Sequence, residues 1–206
     1  TVGMVGSDYI EIIKKNDDGT KYIENIMQNT DIDEIVKITH SVDTSMQAND
    51  VKAVKYDLDG NIILEQDMDN ANKFLDIIGH KLDLNQFTKM YTSEANDILT
   101  DDGLRIKTNG KDNFVVISAD GKNIKNIYTD TDGYTIDEKN IQSDDSITIE
   151  KTKYNTNNVI LGKTTWFYET EDAIKNNKAT KRQEDEYDEN GKLIGTKIYD
   201  ANGNII

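Results

Sequence analysis

The chain has no cysteine and no proline, one tryptophan and two histidines. Without Cys there is no disulfide framework, no thiolate metal site and no thiol nucleophile. Without Pro the strongest strand breaker is missing along the whole length. Only His40 and His80 could serve as a general base near neutral pH. Positive charge is scarce: 24 Lys and Arg stand against 39 Asp and Glu, a net charge of -15. Such a balance argues against a nucleic-acid backbone or an anionic membrane as partner. No apolar run approaches the roughly 18 residues that span a bilayer, so no membrane insertion is expected. The 206 residues fit one ordinary domain or two small ones, with a lean 35% of hydrophobic residues. The first residue is Thr1, which suggests a processed form or an excised segment.

What is abundant is Asp and Asn. Eight of the 13 glycines directly follow one of them: Gly19, Gly60, Gly103, Gly121 and Gly133 after Asp, and Gly110, Gly191 and Gly203 after Asn. Asx-Gly is the strongest short-range hairpin signal, because these residues tolerate the positive φ of tight turns. Between them lie short runs rich in Ile, Val, Thr and Tyr: 8–14, 35–42, 50–56, 61–65, 112–118, 123–129, 146–154 and 159–169. Their alternation predicts strands. The expected fold class is therefore mainly β, an antiparallel meander of β-hairpins. A two-helix insertion at about 70–99 is expected to pack on one side. Phe74, Ile77, Ile78 and Leu82 share a helical face after a candidate cap at Asp69. Leu84, Phe87, Tyr91, Ala95 and Ile98 repeat at spacings of three and four after Asp83. This spacing predicts a second helix over 84–99, with His80 late in the first helix. A short helical turn is expected at 171–178. The division reads as 1–100, strands plus helical hairpin, and 101–206, a hairpin-repeat region, with one continuous elongated domain as the alternative. The charged run 179–187 is a candidate edge strand.

Three segments share a pattern: Tyr56-Asp57-Leu58-Asp59-Gly60-Asn61-Ile62-Ile63, Tyr187-Asp188-Glu189-Asn190-Gly191-Lys192-Leu193-Ile194 and Tyr199-Asp200-Ala201-Asn202-Gly203-Asn204-Ile205-Ile206. Tyr closes one strand, Asp accepts turn amides, Asx-Gly takes the positive φ, and the aliphatic pair opens the return strand. Ending just inside such a return strand, the chain is expected to continue beyond Ile206. The pattern resembles the Tyr-Asp (YD) hairpin repeats of Rhs-type bacterial surface and secreted proteins, over about 20 C-terminal residues plus the Tyr56 copy. It is also similar to the variable outer domains of flagellar hook proteins, where a hairpin like Tyr56–Asn61 precedes a Trp-bearing strand like that of Trp166. The resemblance implies a stacked-hairpin extracellular scaffold without catalytic residues. The few repeats and their interruption by the helical pair depart from the Rhs pattern.

No nucleophile elbow, zinc-protease motif, P-loop or dinucleotide fingerprint is present, so no catalytic residue is assigned. Among the acidic clusters, Asp130, Asp132 and Asp137 are the best candidates for calcium, the one cofactor the residues suggest. EF-hand registers built on Gly60 or Gly133 fail, placing non-ligands at the ends of the loop. Trp166 and Tyr168 share one strand face and form either a ligand-binding platform or the core of the C-terminal half. The favoured expectation is a non-catalytic structural or adhesive module of a bacterial surface or secreted protein. Its partner would be a protein or a cell-surface glycan, with flanking segments of the same polypeptide beside it. Alternatives are a calcium- or carbohydrate-binding module and the outer domain of a hook-like filament protein.

Overall fold

The computed structural model describes residues 7–29, 33–42, 48–110 and 113–206. It is mainly β, with two antiparallel meandering sheets and three short helices. The chain divides into two compact units, residues 1–98 with 107–111 and residues 99–106 with 112–206.

In the first unit, strands β1 (Ser7–Lys15), β2 (Lys21–Asn29), β3 (Glu34–Val42), β4 (Ala48–Asp57) and β5 (Ile62–Asp67) pair in sequence order. Helices α1 (Met68–Asp76) and α2 (Leu84–Thr92) pack against β3, β4 and β5. Alternation puts Val36, Ile38, Val51, Ala53 and Leu64 on the covered sheet face. Ala71, Phe74, Leu75, Phe87, Met90 and Tyr91 close over them from the helices.

Lys55 lies in this core, 1% exposed. Its Nζ donates to the Ser93 carbonyl at 2.9 Å and sits 3.4 Å from the Glu34 carboxylate. Ser93 is the C-cap of α2, where a cation meets the negative end of the helix. Desolvation lowers the Lys55 pKa, and Glu34 opposes that shift.

Both helices differ from their expected bounds. The α1 cap is Asp67, whose Oδ1 accepts from the Asn70 amide at 2.6 Å, and Asp69 falls in the first turn. The helix stops at Asp76 because Gly79 takes a φ of 72°. His80 therefore stands in the connection between the helices. Leu82 is fully buried there. Asn72 clamps it, donating through Nδ2 to the Leu82 carbonyl and accepting the Leu82 amide at 2.8 Å. Helix α2 does begin after Asp83, with a capping box to Gln86, but ends at Thr92. Ser93 is extended, its Oγ accepts the Asp97 amide, and Asn96 is left-handed. Ile98 is consequently buried from a strand, β6 (Asp97–Leu99).

The second sheet runs in the order β14 to β6. Besides β6 it holds β7 (Arg105–Gly110), β8 (Asn113–Ile117), β9 (Asn123–Asp130), β10 (Gly133–Ile141), β11 (Ile147–Asn155), β12 (Ile160–Tyr168), β13 (Lys181–Tyr187) and β14 (Leu193–Asp200). The boundary between the units falls within β6 and β7. A five-residue helix, α3 (Glu171–Lys175), joins β12 to β13, and Glu171 is held by Lys139 of β10. The expected edge, 179–187, is interior: β13 pairs with both β12 and β14, and β14 is the outer strand. In β13, Asp185 and Glu186 meet Thr196 and Lys197 of β14, while Arg182 and Glu184 pair within the strand.

In this unit Phe114, Val116, Ile127, Tyr134 and Ile147 are buried. From Thr148 to Ile206 only Thr165 is. Lateral contacts replace a core there. The Tyr134 and Tyr154 rings stack at 4.8 Å, and Lys163–Glu150 and Lys197–Glu186 pair across strands.

Seven hairpins close with one five-residue turn: 16–20, 57–61, 100–104, 142–146, 155–159, 188–192 and 200–204. In each, the fourth amide donates to the first carbonyl, and the first amide to the fifth carbonyl. The fourth residue is left-handed: Gly in five turns, Asp145 and Asn158 in the others. This is a type I turn followed by a left-handed bulge residue. The turn at 118–123 is one residue longer. Gly110 ends β7, and the two residues after it lie outside the described set.

Gly133 has a different role. A Cβ there would meet the Tyr154 carbonyl oxygen at 2.0 Å, across the β10–β11 pair. Gly133→Ala is expected to destabilise the fold by about 1–3 kcal/mol, through overpacking against backbone. Asn72→Ala should cost a similar ~1–3 kcal/mol by stranding the two Leu82 backbone groups. Urea unfolding followed by circular dichroism measures both.

Candidate functional site

The hairpin registers assemble a row of side chains. Trp166 of β12 pairs with Arg182 of β13, and Arg182 pairs with Tyr199 of β14. Antiparallel partners share a face, and Tyr168 joins it two residues along. These four line a depression of about 260 Å³, together with Asn177 and Ala179 after α3, Lys181, Asp200, and Ala201 and Gly203 of the last turn. Arg182 has an aromatic ring on one side and a carboxylate near its Nε. Its guanidinium lies 4.3 Å above the centre of the Tyr199 ring, and its Nε is 3.3 Å from Glu184. The Tyr199 hydroxyl donates to the same carboxylate at 3.4 Å. Nearby, Lys181 caps the Phe167 ring at 4.2 Å.

Trp166 and Tyr168 are thus brought together as their spacing predicts. Both are half-buried, an intermediate between the platform and core alternatives. Reading the sequence missed Arg182, Tyr199 and Asn177. The signal for Tyr199 was its hairpin motif; for Arg182 it was the count back through the 188–192 turn. Asn177 had none, because only the α3 connection brings it near.

The three acidic calcium candidates are not gathered. Asp130 Oδ1 accepts the Asp132 amide and Oδ2 accepts the Thr135 hydroxyl. Asp137 lies four residues beyond Gly133, the strand partner of Asp130, or ~13 Å along the strand. Its Oδ2 accepts from the Tyr128 hydroxyl. Among the described residues no group of three or more His, Asp or Glu is placed to hold a metal ion.

His40 is buried on β3, its Nδ1 3.4 Å from the Ser41 carbonyl. The Nε2 of His80 is buried without a hydrogen-bond partner among the described residues. Neither pairs with a carboxylate there.

No family model matches the chain, and no curated protein matches it. Among those described, no helix is long and apolar enough to cross a membrane.

The turns explain where the acidic groups go. Asp57, Asp188 and Asp200, each the first residue of its turn, accept the third and fifth amides on Oδ1. Asn155 does the same, which reveals a fourth copy of the tyrosine motif, Tyr154-Asn155-Thr156-Asn157-Asn158-Val159-Ile160-Leu161. In all four copies Tyr pairs with the aliphatic residue six places on: Ile62, Ile160, Leu193 and Ile205. Elsewhere the third residue takes over, with Asp18 accepting from Thr20 and Asp144 from Ser146.

These bonds hold Asp18, Asp57, Asp120, Asp130, Asp144 and Asp200 below the usual carboxylate range. For Asp57 the Asn61 side chain contributes most, and for Asp200 the Asn204 amide does. A depressed folded-state pKa stabilises above the unfolded value, near 3.9, and that stability is lost as pH falls through the folded value. The melting temperature is therefore expected to fall below about pH 4. Asp57→Asn combined with Asp200→Asn keeps the Oδ1 acceptors and should flatten that fall, as melts at pH 7 and pH 3 would show.

Proposed function

We propose that this chain is a non-catalytic adhesive or structural module of a bacterial surface or secreted protein, acting through its exposed sheet faces. One observation carries this reading: from Thr148 to Ile206 four strands run with a single buried residue, Thr165. An evolved polypeptide that spends four strands without building a core invests them in surface. Such a surface suits recognition by area, whereas an enzyme site requires a concave, water-excluding pocket with a convergent acid and base. The acidic solvated exterior and the resemblance of the tyrosine hairpins to Tyr-Asp repeats support the same reading. The partner class is a protein or a cell-surface glycan. The engagement of turn carboxylates by backbone amides favours this over the calcium-binding alternative.

The test is adhesion. Beads coated with the full chain are expected to bind intact cells saturably, and to do so equally with His40→Gln and His80→Gln. Calcium and EDTA should leave its melting temperature within about a degree. Absence of saturable adhesion would sink the reading, as would a hydrolytic activity that these histidine variants lose. A calcium-induced shift of several degrees would favour ion binding instead.

A further inference from the structure

The depression on the Trp166 face is more than exposed apolar surface. Three aromatic side chains, Trp166, Tyr168 and Tyr199, line it. The Trp166 indole N–H, the Tyr168 hydroxyl and the terminal nitrogens of Arg182 make no hydrogen bonds among the described residues. Polar tips with open hydrogen-bonding capacity beside aromatic faces define a ligand that is itself two-faced. It must carry an apolar patch to lie on a ring and acceptors around its margin.

We propose that this depression is a carbohydrate-binding site, taking a pyranose ring of a neutral glycan against the aromatic faces. The proposal rests on the reading of the chain as a non-catalytic binding module and names the ligand of one of its surfaces. A pyranose presents axial C–H bonds on a flat face and hydroxyl groups around its edge. The C–H face lies on Trp166 or Tyr168, and Arg182 donates to neighbouring hydroxyl oxygens.

Arg182 is organised for this in advance. Stacking on Tyr199 holds its guanidinium against the ring, which reduces the side-chain freedom lost on binding. The Glu184 carboxylate, 3.3 Å from Nε, balances its charge without hydrogen-bonding it. The row stands on three paired strands, so its spacing is set by the sheet. The volume of about 260 Å³ lies just below the usual range of small-molecule sites and suits a single ring of a longer chain. Local charge selects neutral sugars. Lys181 and Arg182 are offset by Glu184 and Asp200, and the net charge of -15 disfavours sulfated or polyuronic chains. A phosphorylated peptide meets the same two carboxylates.

Trp166 is the sole tryptophan, so its emission reports the site directly. Titrating the full chain with neutral gluco-, manno-, galacto- and chito-oligosaccharides should change that emission saturably for at least one series. The same sugar should protect Trp166 from acrylamide quenching. By calorimetry, Trp166→Ala and Arg182→Ala should weaken binding by about tenfold or more. Arg182→Lys should weaken it less, and Ile194→Ser, away from the site, should leave it unchanged. Circular dichroism melts check that each variant is folded.

No response to any neutral glycan at millimolar concentration, with cell adhesion intact, overturns the site and leaves the adhesive reading standing. Loss of adhesion as well overturns both. Tighter binding of anionic glycans or phosphopeptides than of neutral glycans, or binding indifferent to Trp166→Ala, also overturns the proposal.

Discussion

A hairpin loop of three residues can close only if one residue is left-handed and the inward-facing amides find acceptors. This chain meets both conditions repeatedly with residues of one kind. The fourth turn position holds Gly, Asp145 or Asn158, and a nearby Asp, Asn, Ser or Thr oxygen takes the amides. The closing hydrogen bonds of each turn are made within the turn itself. Where such a turn joins two strands, their pairing and starting register follow from where the turn falls. Part of the acidity has the same origin, since Asp18, Asp57, Asp120, Asp130, Asp144, Asp188 and Asp200 all accept turn amides.

The two units answer the problem of stability differently. In the first, two helices cover a five-stranded sheet, and the buried Lys55 ties the sheet to the α2 terminus. In the second, from β11 onward, no such cover exists in the burial pattern, and lateral interactions within the sheet take over. Stacked tyrosines, Arg182 on Tyr199 and Lys–Glu pairs across strands use the aliphatic parts of long side chains as a thin apolar layer. Individually such contacts are weak. Their repetition, on turns that each close locally, makes an open sheet a coherent surface.

The hairpins were legible because turn chemistry is written in adjacent residues. Asx-Gly marked Gly19, Gly60, Gly103, Gly121, Gly191 and Gly203 directly. The turns at 142–146 and 155–159 were hidden, since Asp145 and Asn158 do the work of Gly, and the Tyr154 copy of the motif escaped for that reason. At both helix ends the apolar spacing outruns the helical backbone. Leu82 and Ile98 fall in helical register yet are buried from a connection and a strand, because Gly79, Ser93 and Asn96 had already ended the helices. Strands β2 and β10 have mixed faces with little clean alternation, so pairing rather than pattern defines them.

The candidate site divides in the same way. Sequence alone determined that Trp166 and Tyr168 share a face, because side chains alternate along any strand. It also determined that Tyr187 and Tyr199 close hairpins, because the turn residues are contiguous with them. Only the tertiary structure decided that Arg182, which the 188–192 turn sets opposite Tyr199, also stands opposite Trp166. That placement depends on how the chain returns through α3 to pair β13 with β12, and no local rule fixes the register across so long a connection. Likewise only the fold decided that Asp130 and Asp137 stay apart, since a strand that remains extended keeps residues close in sequence well separated in space.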